Sequence, residues 1–290
     1  MISHSPLPAP AKIDGAYPIQ ETVEILVNRK LARDTFLIRL ASPTIAQSIR
    51  PGQFLMIRLT GPNDPLLGRP FALYDTVLND AGTPIALDVV YLVVGKVTTA
   101  MARLRPGEFV SIWGPLGNGF RPIDPVDQIA LVAGGIGQTP FLAYVRELCG
   151  SRGYGGTAAK RMSSKVSIFY GVRSADLAAG VDDFRAAGAE VHLASNDGSI
   201  GYRGFVTDLL KTHPKPDRIV GCGPEPMLHA LAKLAAEWNV PCDVSLETPM
   251  ACGLGICFSC VTKVKTPDGW DYKRVCVDGP IFDAAGLVWD

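Results

Sequence analysis

Ile129-Ala-Leu-Val-Ala-Gly-Gly-Ile-Gly-Gln-Thr-Pro-Phe141 is the stretch on which the fold turns. Ile129–Ala133 is a short, fully apolar run, consistent with a buried strand. It enters a turn at Gly134-Gly135-Ile136-Gly137, and Pro140–Leu148 then reads as a helix. Strand, glycine turn and helix in that order open a βαβ unit. Downstream the alternation continues through Val166–Tyr170, Asp182–Ala187, Val191–Ala194, Phe205–Leu210, Arg218–Val220, Pro226–Trp238 and Asp243–Leu246. This pattern predicts an α/β region over 126–248, with a parallel sheet carrying helices on both faces. Ser151–Ser164, rich in Gly and Ser, reads as a surface loop within it.

Upstream the pattern differs. Over 21–125, short apolar runs recur at Val23–Val27, Thr35–Leu40, Gln53–Leu59, Ile85–Val94 and Phe109–Trp113. Pro51-Gly52, Gly61-Pro62, Pro106-Gly107 and Gly114-Pro115 punctuate them. Many short strands with such turns predict a small β-barrel. One helix is expected near Thr99–Leu104, ended by Pro106. Residues 1–20, with their Pro and Ala, read as a loose leader lacking the pattern of a secretory signal.

The chain has 290 residues, enough for two domains or three small ones. It carries 28 Lys and Arg against 28 Asp and Glu, scattered, so nucleic-acid binding through a basic face has little support. No apolar run approaches the roughly 20 residues needed to span a bilayer, so no membrane role is expected. The expected compartment is the cytoplasm, where a disulfide framework is disfavoured.

Four of the seven cysteines crowd into the last 40 residues. Met250-Ala-Cys-Gly-Leu-Gly-Ile-Cys-Phe-Ser-Cys260 has the spacing C-x4-C-x2-C, and Cys276 follows after 15 intervening residues. This is the plant-type [2Fe–2S] spacing. Cys252, Cys257, Cys260 and Cys276 are therefore the expected ligands. Gly253 and Gly255 let the backbone wrap the cluster and aim N–H groups at its sulfurs. Structural zinc is the alternative, but it prefers two separated knuckles of two cysteines. Cys149 and Cys242 read as ordinary buried thiols.

Glycines also suit the close approach of a pyrophosphate, with a helix N-terminus supplying donors. Gly134–Gly137 lacks the third glycine of G-x-G-x-x-G, because Pro140 stands there. A tight turn without ligand would look the same. A second loop, Gly221-Cys-Gly-Pro-Glu-Pro-Met227, follows another apolar strand and precedes a long helix. In an open parallel sheet both loops face one crevice, and Ser195-Asn-Asp-Gly-Ser199 could face it too.

Taken with Arg69-Pro70-Phe71-Ala72, these motifs resemble the ferredoxin–NADP reductase superfamily, and within it the electron-transfer subunits of two-component, NAD-linked dihydroorotate dehydrogenases. The resemblance covers 21 to about 285. It rests most on Gly114-Pro-Leu-Gly-Asn-Gly-Phe120, Cys252–Cys260 and Tyr272-Lys-Arg-Val-Cys-Val-Asp-Gly-Pro-Ile-Phe282. It implies a multidomain β plus α/β chain: an N-terminal flavin-binding β-barrel (21–125), a Rossmann-like parallel-sheet nucleotide domain (126–248) and a small C-terminal [2Fe–2S] segment (249–290).

By the same resemblance FAD lies in the barrel. Arg69 binds its phosphate, and Pro70, Phe71 and Ala72 run beside the ring. Ala72 departs from the family's hydroxyl residue, which removes a side-chain hydrogen bond. Gly95-Lys96-Val97-Thr98 matches the family's Gly-x-Gly-Thr segment imperfectly, since Val97 replaces a glycine and would resist positive φ, and Gly95, Lys96, Thr98 and Thr99 are the expected cofactor contacts there. NAD(H) is expected across Gly134, Gly135, Ile136, Gly137, Pro140, Cys222, Gly223, Pro224 and Met227, with Cys222 a buried spacer beside the nicotinamide. Arg173 hints at phosphate binding and leaves NADH against NADPH open.

Hydride transfer to flavin requires no acid–base side chain, and none is assigned. The implied partner is an FMN-containing dihydroorotate dehydrogenase catalytic subunit, in a heterotetramer of two of each, serving pyrimidine biosynthesis. Leu254, Ile256, Phe258, Ile281 and Phe282 are the expected contact or cluster-shielding residues. Two alternatives share the motifs. One is an FAD/[2Fe–2S] subunit of another NAD(P)H-linked complex, a ferredoxin reductase or hydrogenase. The other is a redox sensor without turnover.

Overall fold

The computed structural model describes residues 18–61, 65–121 and 123–289. The expected leader lies almost wholly outside them. Seven antiparallel strands form the first sheet: β1 (Ile19–Ala32), β2 (Thr35–Leu40), β3 (Phe54–Leu59), β4 (Arg69–Ala72), β5 (Asp75–Leu78), β6 (Pro84–Leu92) and β7 (Phe109–Leu116). Their order is β4-β3-β7-β1-β2-β6-β5. Alternate residues turn inward, so Ile25, Ile38, Leu40, Leu55, Ile57, Leu87, Val89, Val110 and Ile112 share one core. The sheet wraps that core as a half-barrel. Among the described residues, β4 and β5 remain its edges and do not pair.

Two helices interrupt this sheet, α1 (Pro43–Ser48) and α2 (Lys96–Met101). The first follows Ser42 with Pro at its start, a pre-organised helix opening. The second corrects the expected Thr99–Leu104 helix. It begins three residues earlier because the chain is already extended at Gly95 and the Thr98 hydroxyl binds the amides ahead of the helix. Val97 sits inside α2 with its side chain buried and without positive φ.

The second sheet contains β8 (Val126–Gly134), β9 (Ser163–Val172), β10 (Glu190–Ser195), β11 (Tyr202–Arg203), β12 (Arg218–Cys222) and β13 (Cys242–Ser245). They are parallel, in the order β11-β10-β9-β8-β12-β13. Four helices cover it: α3 (Phe141–Leu148), α4 (Val181–Ala186), α5 (Val206–Lys211) and α6 (Glu225–Trp238). Strand β8 shows why both faces are covered. Ile129, Leu131 and Ala133 join the cluster containing Phe141, Leu148 and Phe184. Ala130 and Val132 join that containing Leu209, Leu228 and Leu231.

The C-terminal segment adds a hairpin, β14 (Val261–Thr266) and β15 (Gly269–Arg274), then β16 (Ile281–Asp283). Strand β16 pairs antiparallel with β13 and so extends the second sheet. Ile281 and Phe282 are therefore buried in their own chain. The loop read as a surface segment, 151–164, also departs from expectation. It buries Tyr154 in the half-barrel core, so it joins the two sheets. Its glycines let the backbone double back: Gly155 at φ +59° lies against Arg50, where a Cβ would stand 2.7 Å from Cγ.

Candidate functional site

A cavity of about 570 Å³ lies between the two sheets, within the range of small-molecule and cofactor sites. One wall is β4, with Arg69, Pro70, Phe71 and Ala72, backed by Tyr91. Phe71 meets the Tyr91 ring edge-on at 6.1 Å, which fixes the slab. Arg69 is at the exposed rim, where its Nη1 donates to the carbonyl oxygens of Leu67 and Gly68, each at 3.0 Å. Gly95, Lys96, Val97 and Thr98 form the adjoining edge. The Thr98 hydroxyl accepts from the amides of Val94 (3.0 Å) and Gly95 (3.1 Å), so it organises this turn. Thr99 is exposed and does not line the cavity.

The opposite wall carries Ile136, Thr139, Pro140 and Cys222. The other nucleotide candidates interlock beside it. A Cβ at Gly137 would lie 2.3 Å from the Cys222 carbonyl oxygen, and one at Gly134 would lie 2.7 Å from the Met227 sulfur and 2.8 Å from Pro224. Gly223 is pressed against Gly134 in the same way. Gly135 differs. It takes φ +56°, and the space beside it is open. Pro224 precedes the N-terminus of α6, whose first turn offers few free donors, since Pro226 has no N–H and the Met227 amide donates to the Pro224 carbonyl. Burial pushes the Cys222 thiol up, the nearby Glu247 charge adds to that, and Ser245 opposes it. This thiol is a poor nucleophile, as a spacer would be.

The third wall, Ser245-Leu-Glu-Thr-Pro-Met250, carries no sequence motif. Its position was nonetheless legible, since any link from the last parallel strand to Cys252 must pass there. Burial pushes the Glu247 carboxyl above its ordinary range. Glu247 lines the cavity and keeps exposed surface there. The Thr248 hydroxyl is buried without a partner. These features fit a flavin: an apolar slot, a guanidinium at the rim, and an unmatched hydroxyl within.

Directly behind this wall lies the cysteine loop. Val275 N–H donates to the Cys260 carbonyl at 2.7 Å, bringing Cys276 alongside Cys260. The Cys257 sulfur lies 3.2 Å from the Ser259 hydroxyl. Cys257 is lowered to about 6, first by the Ser259 hydroxyl and then by its amide and Cys252. Cys260 is lowered to about 6, first by hydrogen bonding with Cys276, which is itself raised. Leu254 N–H donates to the Cys252 sulfur at 3.3 Å. Gly253 and Gly255 take positive φ, at 72° and 78°. A Cβ at Gly253 would meet Met56 at 2.8 Å, so the loop lies flush on the half-barrel.

Among the described residues, no three His, Cys, Asp or Glu side chains converge on one point. Three cysteines on one loop with the fourth beside Cys260 fit the ligand set of a [2Fe–2S] cluster better than the two separated knuckles of structural zinc. Cys257 is exposed, Cys252 half-buried, and Cys260 and Cys276 buried. Cys149 is half-buried and Cys242 buried, both outside these centres.

Comparison with known proteins agrees with this geometry. Residues 22–120 match the oxidoreductase FAD-binding domain. Residues 247–288 match the iron–sulfur cluster binding domain of dihydroorotate dehydrogenase B. The electron transfer subunit of dihydroorotate dehydrogenase B (NAD(+)) from Desulforamulus reducens is 34% identical over 92% of this chain and 97% of its own length. That of Geobacillus kaustophilus is 36% identical over 93% and 98%. The solved NADH-dependent reduced ferredoxin–NADP oxidoreductase, described for flavin-based electron bifurcation, superposes with a TM-score of 0.77 at 28% identity, covering 92% of this chain and 90% of that one. Phthalate dioxygenase reductase shares the fold, with a TM-score of 0.59 at 18% identity, over 89% and 94%.

Proposed function

The chain belongs to the family of dihydroorotate dehydrogenase B (NAD(+)) electron-transfer subunits, and on that premise we propose how its residues carry electrons between a nicotinamide nucleotide and an FMN-containing dihydroorotate dehydrogenase subunit. FAD belongs in the cavity, with Arg69 on its phosphates and Pro70, Phe71 and Ala72 along its ring. Gly95, Lys96 and Thr98 shape the adjoining turn. NAD(H) enters over Gly135, between the Gly134–Gly137 turn and the Cys222–Met227 loop, with Ile136, Pro140 and Cys222 against the nicotinamide side. Cys252, Cys257, Cys260 and Cys276 hold the [2Fe–2S] cluster.

The chemistry is the cofactors' own: flavin takes a hydride's two electrons and the cluster carries one. The chain's part is placement. Cys222 supplies a neutral surface, Arg69 neutralises phosphate charge, and Ser245–Met250 connects the two centres. No side chain is assigned a proton. One observation carries this reading most: the cavity wall ending at Met250 runs within two residues into the cluster loop at Cys252. A two-electron site and a one-electron site thus share one wall.

The cluster loop supplies the docking surface. Ile256 and Phe258 are 69% and 62% exposed, Leu254 is half-buried against the core, and Ile281 and Phe282 serve internal packing. We place the assembly, two of each subunit, in the cytoplasm. Seven unpaired cysteines suit a reducing compartment. Among the described residues no helix is long and apolar enough to cross a membrane.

Mixing decides the reading. The chain alone should oxidise NADH with an artificial acceptor and leave dihydroorotate untouched. Adding the FMN subunit should produce NAD-linked turnover. Full-rate dihydroorotate oxidation by the chain alone, or no association with that subunit, would contradict it.

A further inference from the structure

We propose that Asp75 is a positioning residue that pins the flavin wall of the cavity to the nicotinamide wall and so sets the gap that hydride must cross. The proposal rests on the reading of the cavity given above. Asp75 starts β5, three residues beyond Ala72 on the flavin wall, and is only 6% exposed. Its Oδ1 accepts from Arg152 Nη1 at 2.9 Å, from the Tyr154 hydroxyl at 2.7 Å and from the Thr76 amide at 2.8 Å. Its Oδ2 pairs with Arg146 Nε at 3.0 Å. Arg152 Nη1 also donates to the Thr76 carbonyl at 2.6 Å.

Arg146, Arg152 and Tyr154 all belong to the nucleotide side. Arg146 is on α3, the helix that leaves the glycine turn through Pro140. Tyr74, next to Asp75, is bonded across the same boundary. Its carbonyl accepts from the Ala143 amide of α3 at 3.0 Å. Its hydroxyl donates to Asp183 at 2.7 Å. A short path therefore runs from Ala72 through Asp75 and its ion pair with Arg146 to Pro140, and both of its ends line the cavity.

Stability alone is a weak reason for such a joint, because burying a carboxylate against two guanidiniums carries a large desolvation cost. Placement is a better reason. Hydride transfer needs reacting atoms about 3–3.5 Å apart, and a misplacement of about 1 Å from a remote change can cost roughly 100-fold. None of Asp75, Arg146, Arg152 or Tyr154 lines the cavity, so each would act through the walls it holds.

The test uses the full chain loaded with FAD and cluster, with Asp75→Asn, Arg152→Met and Arg152→Lys. Flavin content, NAD+ affinity, single-turnover flavin reduction by NADH and hydrogen exchange of residues 151–162 are measured. Asp75→Asn and Arg152→Met should keep flavin and NAD+ affinity. Their reduction rates should fall roughly 10- to 100-fold, with faster exchange in the loop, and Arg152→Lys should recover much of the rate. Wild-type reduction rates per bound flavin in both variants would overturn the proposal. So would a loss explained wholly by lost flavin. A wild-type chain that NADH fails to reduce would instead sink the functional reading beneath it.

Discussion

Trp113 Nε1 donates a 2.9 Å hydrogen bond to the carbonyl oxygen of Cys252. The donor sits on β7 of the half-barrel and the acceptor belongs to the first cysteine proposed to hold the cluster. This bond, with Gly253 packed on Met56 and Leu116, holds the cluster loop against the flavin-binding sheet. We predict that Trp113→Phe keeps FAD but loses the cluster faster. One neutral hydrogen bond contributes about 1 kcal/mol, or roughly fivefold. Chelator-driven bleaching of the cluster absorbance measures this, and an unchanged rate would count against the role given to Trp113.

The two central glycines of the nucleotide turn should fail for different reasons. Gly137→Ala drives a Cβ onto the Cys222 carbonyl, so it should lower stability and spread the two loops. Gly135→Val has room but needs φ +56°, a strain of about 1–2 kcal/mol, and its branch would stand where NAD(H) approaches. We expect a folded protein with a KM for NADH raised at least about tenfold, the loss of about 1.4 kcal/mol of binding. Wild-type NADH kinetics in Gly135→Val would reject the placement.

Docking through the cluster loop makes a separate demand. Ile256→Asp puts a charge on a largely exposed apolar position without touching the core. Association with the FMN subunit should weaken at least about tenfold, while NADH oxidation by the chain alone stays intact. Sedimentation or titration calorimetry reads the first, and an artificial acceptor reads the second. Unaltered association would move the interface elsewhere.

Stability should carry a pH signature from Glu147. Burial pushes its carboxyl from 4.5 to about 7, with Arg50 opposing. The folded state thus keeps a proton that the unfolded chain has already released. Stability from this group is intact below 4.5 and is lost as pH rises towards about 7. Glu147→Gln removes the loss. The variant should therefore gain on the wild type between pH 5 and 8, by about 1 kcal/mol after solvent screening. Thermal unfolding at the two pH values checks it, and a gain that shrinks with pH would contradict the sign.

What the sequence revealed follows from where the information is local. Cysteine spacing singles out four candidate ligands, and the structure puts three on one loop with Val275 docking the fourth beside Cys260. The Ile129–Phe141 stretch reads correctly, because strand, turn and helix are adjacent in the chain. Long-range choices were less visible. Tyr154 sits in a Gly- and Ser-rich loop, and nothing local says that it fills the core of the other sheet. Phe282 looks like surface near a cluster until β16 is seen paired with β13. Thr266-Pro267-Asp268-Gly269 is the local turn signal of the β14–β15 hairpin.

The central claim is that NADH, flavin and cluster form one electron path in this chain. Anaerobic titration of the purified full chain with NADH, followed by visible absorption and electron paramagnetic resonance, tests it most directly. The account predicts uptake of about three electrons per chain, two on flavin and one on the cluster, from about one and a half NADH. Flavin bleaching should be accompanied by the paramagnetic signal of a reduced [2Fe–2S] centre. Flavin that bleaches while the cluster stays oxidised, or protein that binds zinc in place of iron, would contradict it.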